Sequence, residues 1–459
     1  MDYAAATRYL ISLGNEVRAS SLDSVHAAKL GLENITALLE DLGRPQDAYP
    51  SVLIGGTNGK GSTAAMLESV VRAAGLRSAL YTSPHLVEIN ERIQVRGRPI
   101  PPATFAALFA FLRERIERLI ASGRLRFHPT YFECLTAMGF EYFRREACEL
   151  AVLEVGMGGR LDATNTATPR VAVLTAIDFD HERFLGNTIR AIAGEKAGII
   201  KPGSVVVSAA SHPEAAAVIR AKAHEQGARL VETWREYSAE ELASLASKDG
   251  RYSWQASHAD GFRLAVELGL RGRHQVENAL AVIAAVRELA RMGFPITDEH
   301  LQRGLATAQW PGRLELLQSE PLVFLDGAHN PAGARALVRF WEENFADRRV
   351  VLVYGAMRDK AVPEIAEILF PKAAAVVLTR PEQFRAAAPE TVRELASHLN
   401  ANILIEPVPE AALAAALAAA SPQDVIFVTG SLFLVGDIKR RWAPSIGPQE
   451  PLAVRSAAR

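Results

Sequence analysis

Short apolar runs alternate with longer stretches of mixed polarity along almost the whole chain. The runs are rich in β-branched residues and nearly continuous in hydrophobicity, which is typical of strands buried on both faces of a parallel sheet. This pattern predicts strands at Val52–Gly56, Ser78–Thr82, Leu150–Val155, Val171–Ile177, Val205–Ser208, Val323–Leu325, Val350–Tyr354, Ala375–Thr379, Ile403–Glu406 and Val425–Thr429.

The stretches between many of these strands predict helices. Among them are Ser62–Ala74, Pro213–Gln226, Pro331–Phe345 and Pro389–Leu399. Regular alternation of strand and helix implies right-handed crossovers, so we expect a doubly wound α/β fold with a mainly parallel sheet.

The alternation is interrupted once. Residues 250–270 form shorter alternating segments, and Gln275–Met292 then predicts a helix. Pro311 and Gly312 break the pattern after that helix, and strand–helix alternation resumes beyond them. We therefore expect a larger N-terminal domain (1–308), a linker (309–313) and a smaller C-terminal α/β domain (314–459).

The composition excludes several classes of protein. The chain has 459 residues, 49% hydrophobic and 22% charged, as in ordinary globular domains. Its 51 Lys and Arg against 52 Asp and Glu give a formal net charge of −1, so no bulk positive field exists for nucleic acid or an anionic membrane. Two cysteines, Cys134 and Cys148, are too few for a disulfide framework and fit a reducing compartment.

Targeting signals are not recognised in the sequence. The N-terminus lacks the pattern of a secretory leader. The longest apolar stretch, Ala411–Ala420, has roughly half the ~20 residues of a membrane span, and it predicts an Ala-rich helix after Pro409. We expect a cytoplasmic protein.

The first predicted strand runs into a glycine-rich loop, residues 55–61, and then into a helix. Glycines let backbone N–H groups close around phosphate oxygens, the helix N-terminus adds positive potential, and Lys60 supplies a charge. Ser62 or Thr63 then follows at a position suited to a phosphate-bound Mg²⁺. The loop departs from the usual G-x-x-x-x-G-K-[ST] spacing because Gly61 separates Lys60 from Ser62. A plain strand-to-helix turn with a solvated lysine is the alternative.

Polar residues also follow the next three strands. Ser83 stands at the second strand's end, Glu154 is a charge within the apolar third run, and His181 follows the fourth strand. Each has a structural alternative: a turn for Ser83, a salt bridge for Glu154, and a helix cap with a surface imidazole for His181. The local sequence around Lys196 predicts that it is an exposed lysine on a helix.

These residues share one sheet edge, because ligands of open parallel sheets lie outside the carboxyl ends of the strands. Hard oxygen ligands beside phosphates suit Mg²⁺, so a nucleoside-triphosphate enzyme is the direct interpretation. In the C-terminal domain, Asp326 and His329 follow a strand in the same way, although Asn330-Pro331 also predicts a helix start. We expect the site to lie between the two domains.

Several motifs follow one another in order over nearly the whole chain. They are Gly56–Ser62, Thr82–Leu86 with Ile89–Ile93, Leu153–Asn165, Asp180-His181, Leu185-Gly186, Glu195–Gly198, Gly272–Gln275 with Asn278, Trp310–Arg313 and Asp326–Pro331. The set resembles the folylpolyglutamate synthase/dihydrofolate synthase family of the Mur ligase superfamily, including the extra glycine of the phosphate loop.

The resemblance implies a Mur ligase-like P-loop domain followed by a Rossmann-like C-terminal domain. It also implies ATP-dependent ligation of L-glutamate, through an acyl phosphate, to dihydropteroate (giving dihydrofolate) and to the γ-carboxylate of tetrahydrofolate. A ligase that makes only one of these additions is the open alternative.

Residue roles follow from the resemblance position by position. Catalytic roles fall on Lys60, on Lys196 as a carbamylated lysine that organises the second metal, and on His329 near the incoming glutamate. ATP would be bound by Asn58, Gly59, Lys60, Gly61, Ser62, Thr63, Asn278, Arg313 and Asp326. Ser83, Glu154 and His181 would hold Mg²⁺, in two sites, and Thr130, Leu161, Asp162 and Ala163 would bind the folate or pteroate.

The resemblance further implies a monomer whose partners are small molecules: ATP, L-glutamate, dihydropteroate and reduced folates. A monovalent cation is a further candidate cofactor. The chain departs from its relatives at Asn34, where they often carry Arg. A P-loop kinase or simple NTPase is disfavoured by the spacing before Lys60 and by the second domain, and a non-enzymatic regulator would be expected to lose Lys60, Glu154 or His181.

Overall fold

The computed structural model describes residues 1–14, 31–241 and 250–442. The chain divides into two compact units, one comprising Met1–Glu315 with Arg339–Ala346 and the other Leu316–Val338 with Asp347–Arg459. The functional assignment of residues 1–308, 309–313 and 314–459 to a ligase domain, a linker and a second domain stays a prediction.

An eight-stranded sheet organises the first unit, in the order β4-β3-β2-β5-β1-β6-β7-β8. Its strands are β1 (Ser51–Gly55), β2 (Ser78–Tyr81), β3 (Ile93–Val95), β4 (Arg98–Pro99), β5 (Leu150–Glu154), β6 (Val171–Leu174), β7 (Val205–Ser208) and β8 (Arg229–Glu232). From β2 to β8 all neighbours pair in parallel, whereas β3 and β4 add an antiparallel edge. The mainly parallel sheet of the prediction is confirmed.

Helices cover this sheet and make it buried on both faces. They are α1 (Tyr3–Ser12), α2 (Glu33–Asp41), α3 (Lys60–Ala73), α4 (Pro102–Ala121), α5 (Tyr131–Arg145), α6 (Glu182–Leu185), α7 (Ile189–Ala197), α8 (Pro213–Glu225), α9 (Thr233–Glu236), α10 (His274–Arg291) and α11 (Asp298–Thr307). Successive side chains of β1 point to opposite faces of the sheet, and each face has its own hydrophobic core. Leu53 belongs to one core, and Val52 and Ile54 belong to the other.

The shorter alternating segments seen in the sequence form a separate antiparallel sheet. Its strands are β9 (Tyr237–Glu241), β10 (Arg251–His258) and β11 (Arg263–Arg271), in the order β11-β10-β9. Along β11, buried residues alternate with exposed ones, so this sheet packs through one face.

The second unit has its own six-stranded sheet, in the order β12-β13-β17-β14-β15-β16. The strands are β12 (Glu315–Ser319), β13 (Leu322–Leu325), β14 (Val350–Tyr354), β15 (Ala375–Leu378), β16 (Ile403–Ile405) and β17 (Val425–Thr429). Its helices are α13 (Val362–Leu369), α14 (Pro389–Ala396), α15 (Pro409–Ala419) and α16 (Leu432–Arg441), and α12 (Pro331–Asn344) begins in this unit, while its residues from Arg339 onward belong to the first unit. Pairing is parallel from β13 through β16.

Among the described residues, no helix combines the length and the hydropathy needed to cross a membrane.

Candidate functional site

In the loop between β1 and α3, backbone carbonyl groups hold the side chain of a lysine. Lys60, the first residue of α3, donates from Nζ to the carbonyl oxygens of Gly56 and Thr57, each at 3.1 Å. Gly56 and Gly59 have φ values of 144° and 86°, a region that L side chains rarely adopt. The loop therefore presents a lysine and the amino end of a long helix at the same place, which suits a phosphate group.

The first turn of α3 carries two hydroxyl groups, and that of Ser62 contacts α10. Ser62 Oγ accepts a hydrogen bond from Gln275 Nε2 at 3.3 Å, and Gln275 Oε1 accepts from Asn278 Nδ2 at 2.9 Å. Thr63 Oγ1 is buried and has no hydrogen-bond partner among the described residues. A buried hydroxyl without a partner is rare and fits a site that a ligand completes.

At two positions of this loop, neighbouring side chains lie so close to the backbone that only glycine fits. A Cβ on Gly59 would collide with Asn278 Oδ1, and a Cβ on Gly61 would lie 2.9 Å from Trp310 Nε1. The structure thus brings five of the predicted ATP residues to one place: Gly59, Lys60, Gly61, Ser62 and Asn278. Asn58 lies between them in the loop and is partly buried.

Glu154 lies at the carboxyl end of β5, next to β2, and is 4% exposed. Its Oε2 accepts from the backbone N–H of Ser83 at 3.0 Å. Burial raises the pKa of this carboxyl, while Lys60, the Ser83 N–H, Arg313 and Arg92 act in the opposite direction. Two of the predicted metal residues, Ser83 and Glu154, are therefore in direct contact beside Lys60.

His181, the third predicted metal residue, follows β6 and precedes α6. It has a φ of 51° and an exposed side chain, and its Nε2 lies 3.6 Å from Asp180 Oδ2. The loop before it is tied to the phosphate loop, because Thr57 Oγ1 donates to the carbonyl of Asp178 at 2.9 Å.

Lys196 is buried, so the prediction of an exposed helical lysine was wrong. It is 4% exposed, and its Nζ donates to Gly56 O at 2.8 Å. Burial lowers the pKa of Lys196 to about 7, and the nearby charge of Lys60 acts in the same direction. Helix α7, which carries Lys196, packs closely against Gly159. A Cβ on Gly159 would lie within 2.9 Å of the carbonyl oxygens of Glu195 and Lys196, so only glycine allows this approach.

The four predicted folate residues lie on two loops of the first unit. Asp162 is buried, and its carboxylate accepts from Met157 N and from Thr164 N, each at 3.0 Å. Burial raises the pKa of the Asp162 carboxyl against these hydrogen bonds. Ala163 is buried beside it and Leu161 is 40% exposed. Thr130 caps α5, accepting from Glu133 N at 3.2 Å.

Phe132 connects these two loops. A Cβ on Gly156, in the loop before Asp162, would lie 2.6 Å from Phe132 Cζ, and Phe132 follows Thr130 by two residues. The structure thus places the Thr130 loop against the loop that carries Asp162.

Three further predicted residues are at the ends of other elements. Arg313 is partly buried in the first unit, where Gly312 N donates to Glu315 Oε2 at 2.8 Å. In the second unit, Asp326 follows β13, is 8% exposed and accepts from Ala328 N at 2.9 Å. His329 Nδ1 lies 2.8 Å from Gly327 O.

Two residues of this neighbourhood lie within motifs quoted from the sequence but were given no role there. Arg92 is 3% exposed, donates from Nε to His85 Nδ1 at 2.9 Å and lies over the ring of Tyr131. Gln275 contacts Ser62, as described above. An arginine within a polar turn and a glutamine at a helix start carry no local signal of burial, so only the packing shows their place.

Two of the three predicted metal residues offer the oxygen donors that Mg²⁺ prefers: Ser83 has a hydroxyl and Glu154 a carboxylate, whereas His181 has an imidazole nitrogen. The described residues contain no group of three or more His, Cys, Asp and Glu side chains that could hold a metal by themselves. Mg²⁺ here would accordingly rely on oxygens of a bound phosphate as well.

Two family models match the chain. The Mur ligase middle domain matches residues 129–286, and the glutamate ligase domain of Mur ligases matches residues 312–432. Among curated proteins, the folylpolyglutamate synthase of Lacticaseibacillus casei is 37% identical over 407 residues, covering 88% of this chain and 93% of the relative. The dihydrofolate synthase/folylpolyglutamate synthase of Bacillus subtilis is 35% identical over 418 residues, covering 90% and 95%.

Solved structures agree with these relatives. Folylpolyglutamate synthase of Mycobacterium tuberculosis, complexed with ADP and AMPPCP, has a TM-score of 0.86 at 32% identity and covers 98% of this chain and 100% of its own. FolC of E. coli, in complex with DHPP and ADP, has a TM-score of 0.83 at 30% identity, with 96% and 97% covered.

Proposed function

This chain belongs to the folylpolyglutamate synthase/dihydrofolate synthase family of the Mur ligases, and from that premise we propose how its own residues carry out the reaction. It is an ATP-dependent ligase that adds glutamate in folate metabolism. We propose that it uses both acceptors, joining L-glutamate to dihydropteroate and to the γ-carboxylate of tetrahydrofolate. A ligase that makes only one of the two additions is the alternative.

One observation carries the proposal: Lys60, at the amino end of α3, lies near the buried Glu154, which contacts Ser83, and shares the carbonyl of Gly56 with Lys196. A carboxylate becomes an electrophile only when its oxygen is converted into a phosphate leaving group. Charge neutralisation and alignment therefore matter more than a protein nucleophile.

The chemistry proceeds in two steps. A carboxylate oxygen of the acceptor attacks the γ-phosphorus of ATP, the bond to ADP breaks, and an acyl phosphate forms. The amine of L-glutamate then attacks the acyl carbon, phosphate leaves, and the amine loses a proton.

The glycine-rich loop between β1 and α3 and three further residues are proposed to bind ATP. We assign the triphosphate to Asn58, Gly59, Lys60, Gly61, Ser62 and Thr63, and the base, phosphate and ribose regions to Asn278, Arg313 and Asp326. The buried Thr63 hydroxyl supports this assignment, because it has no hydrogen-bond partner in the part of the chain that the structure describes. His329 is proposed to contact the incoming glutamate and the transferred phosphate.

Ser83, Glu154 and His181 are the proposed residues for Mg²⁺, which supplies charge neutralisation on the phosphates when bound. A monovalent cation is proposed as a further cofactor. Thr130, Leu161, Asp162 and Ala163 are proposed to bind the folate or pteroate. We also propose that the protein acts as a cytoplasmic monomer.

Lys196 is proposed to be carbamylated. Only the neutral amine reacts with CO₂, forming a carbamate and releasing a proton, and a pKa of about 7 leaves much of this amine neutral near physiological pH. Lys196→Ala is expected to lose ligation activity, and a small added carboxylic acid is expected to restore part of it. Unchanged activity in Lys196→Ala would exclude the role.

A further inference from the structure

Helix α7, which carries Lys196, is short and ends beside the loop that follows β5. It has nine residues, and isolated helices of this length are marginal in water, so its position depends on contacts with the rest of the chain. The last carbonyl groups of a helix lack donors within the helix and are satisfied by other groups. For α7, donors come from residues 160–165, which lie between β5 and β6.

Asn165 gives both hydrogens of its amide nitrogen to two different segments. The residue is 3% exposed, and its Nδ2 donates to Arg160 O at 3.0 Å and to Gly198 O at 3.1 Å. Gly198 directly follows α7 and stands two positions after Lys196. One buried carboxamide therefore ties the end of this helix to the loop after β5.

Arg160, in the same loop, adds further contacts to the helix end. Its backbone N–H donates to Glu195 O at 2.8 Å, and its side chain donates to Glu195 Oε1 at 2.9 and 3.1 Å. A Cβ on Gly198 would lie 2.5 Å from Arg160 Cβ, so the two segments are very close. The Arg160 side chain is 57% exposed, and ion pairs in water contribute little. The buried Asn165 amide is therefore the side chain that fixes this contact.

The turn that carries Asn165, residues Ala163–Thr166, has hydrogen bonds of its own. Asn165 N donates to Asp162 O at 2.8 Å. The Asp162 carboxylate accepts from Thr164 N at 3.0 Å and from Thr164 Oγ1 at 2.5 Å. The Asn165 side chain is thus presented to α7 from a fixed turn.

We propose that Asn165 is a positioning residue for ligation: it holds the last turn of α7 in place and thereby keeps Lys196 Nζ at the Gly56 carbonyl of the phosphate loop. The proposal rests on the proposed function, which gives Lys196 its role. Lys196 is 4% exposed, and its Nζ donates to Gly56 O at 2.8 Å. A shift of the helix end would move this amine away from the loop, and a misplacement of about 1 Å can cost about a hundredfold in rate.

Two variants remove the contact. Asn165→Asp keeps the shape of the side chain but has no hydrogen to donate, and Asn165→Ala lacks the carboxamide altogether. Each is expected to lower kcat for ligation about a hundredfold and to leave the KM for ATP nearly unchanged. Thr166→Ala is the matched control and should keep the parental kcat, because Thr166 lies in the same turn and its Oγ1 donates to Ala163 O within that turn.

A double-mutant cycle separates positioning of Lys196 from a merely structural role. In Lys196→Ala, with activity partly restored by added acetate, no lysine remains to be positioned. Adding Asn165→Asp is therefore expected to change the acetate-restored rate by less than about threefold, whereas the losses from two independent sites would multiply.

Hydrogen exchange tests the contact without any turnover. Backbone amides of residues 189–200, followed by mass spectrometry on the full chain without ATP, should exchange at least about tenfold faster in Asn165→Asp than in the parent chain or in Thr166→Ala.

The proposal is overturned if Asn165→Asp and Asn165→Ala keep the parental kcat, if their exchange in this segment is unchanged, if Thr166→Ala loses as much kcat, or if the losses multiply in the double mutant. A parent chain without ligation activity, together with faster exchange in Asn165→Asp, would instead refute the proposed function and leave the contact established.

Discussion

Lys60 and Lys196 donate to the same backbone carbonyl, with their Nζ atoms 3.1 Å and 2.8 Å from Gly56 O. Two lysine side chains are thus held next to each other at the end of β1. Burial and the neighbouring charge of Lys60 together lower the pKa of Lys196 to about 7. One lysine is therefore suited to remain a cation near phosphate, and the other to react as an amine.

The low pKa of Lys196 predicts a pH dependence of stability. Between pH 7 and the ordinary lysine value of 10.5, the unfolded chain holds a proton on Lys196 that the folded chain lacks. The free energy of unfolding should therefore rise with pH across this window, and Lys196→Met should remove that part of the slope. Urea unfolding in CO₂-free buffer measures it, with Lys222→Met, on α8, as the control. Equal slopes in Lys196→Met and the parent chain would contradict the assignment.

Lys60→Ala is expected to reduce ligation by roughly 10²–10³, because removal of one preorganised electrostatic contact commonly costs that much in rate. The fold should remain, since among the described residues Lys60 donates hydrogen bonds to two carbonyls of its own loop and bridges no other element. Product formation and circular dichroism are measured together, with Lys222→Ala as the control. Near-parental turnover by a folded Lys60→Ala chain would exclude the phosphate role.

Gly59→Ala tests the shape of the phosphate loop against a matched glycine. Gly59 and Gly75 have similar φ values, 86° and 81°, but only Gly59 would place a Cβ against Asn278, whereas nothing lies within 4 Å of a Cβ on Gly75. Both changes should cost about 1 kcal/mol of backbone strain. Only Gly59→Ala should also weaken nucleotide binding, measured by titration with ADP. Equal ADP affinity in the two variants would show that the Asn278 contact does not shape the site.

Glu154→Gln should separate stability from activity. The amide oxygen can still accept from Ser83 N, but the buried charge, whose pKa is raised by burial, is gone. We expect a higher thermal midpoint together with ligation at least about a hundredfold slower, a trade-off that strained functional sites commonly show. Glu141→Gln is the control and should give the opposite result. Glu141 is a buried carboxylate that pairs with Arg144 and Arg145, so loss of its charge should lower the thermal midpoint and leave ligation intact. A lower midpoint in Glu154→Gln would contradict the account.

Much of the fold could be predicted because its strands are buried on both faces. Runs such as Val205–Ser208 and Val425–Thr429 are continuous in hydrophobicity and match β7 and β17 residue for residue. The antiparallel edge of β3 and β4 was not predicted. Arg98–Pro99 is exposed and contains proline, so neither burial nor alternation marks it as a strand.

Part of the candidate site could be predicted for a related reason: strand ends in a parallel sheet share one edge. This principle placed Glu154 beside Ser83, and the structure has them in contact. It could not place Lys196, because the pattern of α7 does not show that its last turn packs against the loop at Gly159. Arg92, although part of the motif Ile89–Ile93, was given no role for the same reason, since the burial of an arginine shows only in what surrounds it.

The most direct test of the central claim is the product mass after incubation with MgATP, L-glutamate and, separately, dihydropteroate or tetrahydrofolate. The account predicts that each acceptor gains the mass of one glutamyl residue, that tetrahydrofolate gains further residues, and that ATP is consumed only when both acceptor and glutamate are present. No glutamylated product from either acceptor, or ATP turnover without them, would contradict it.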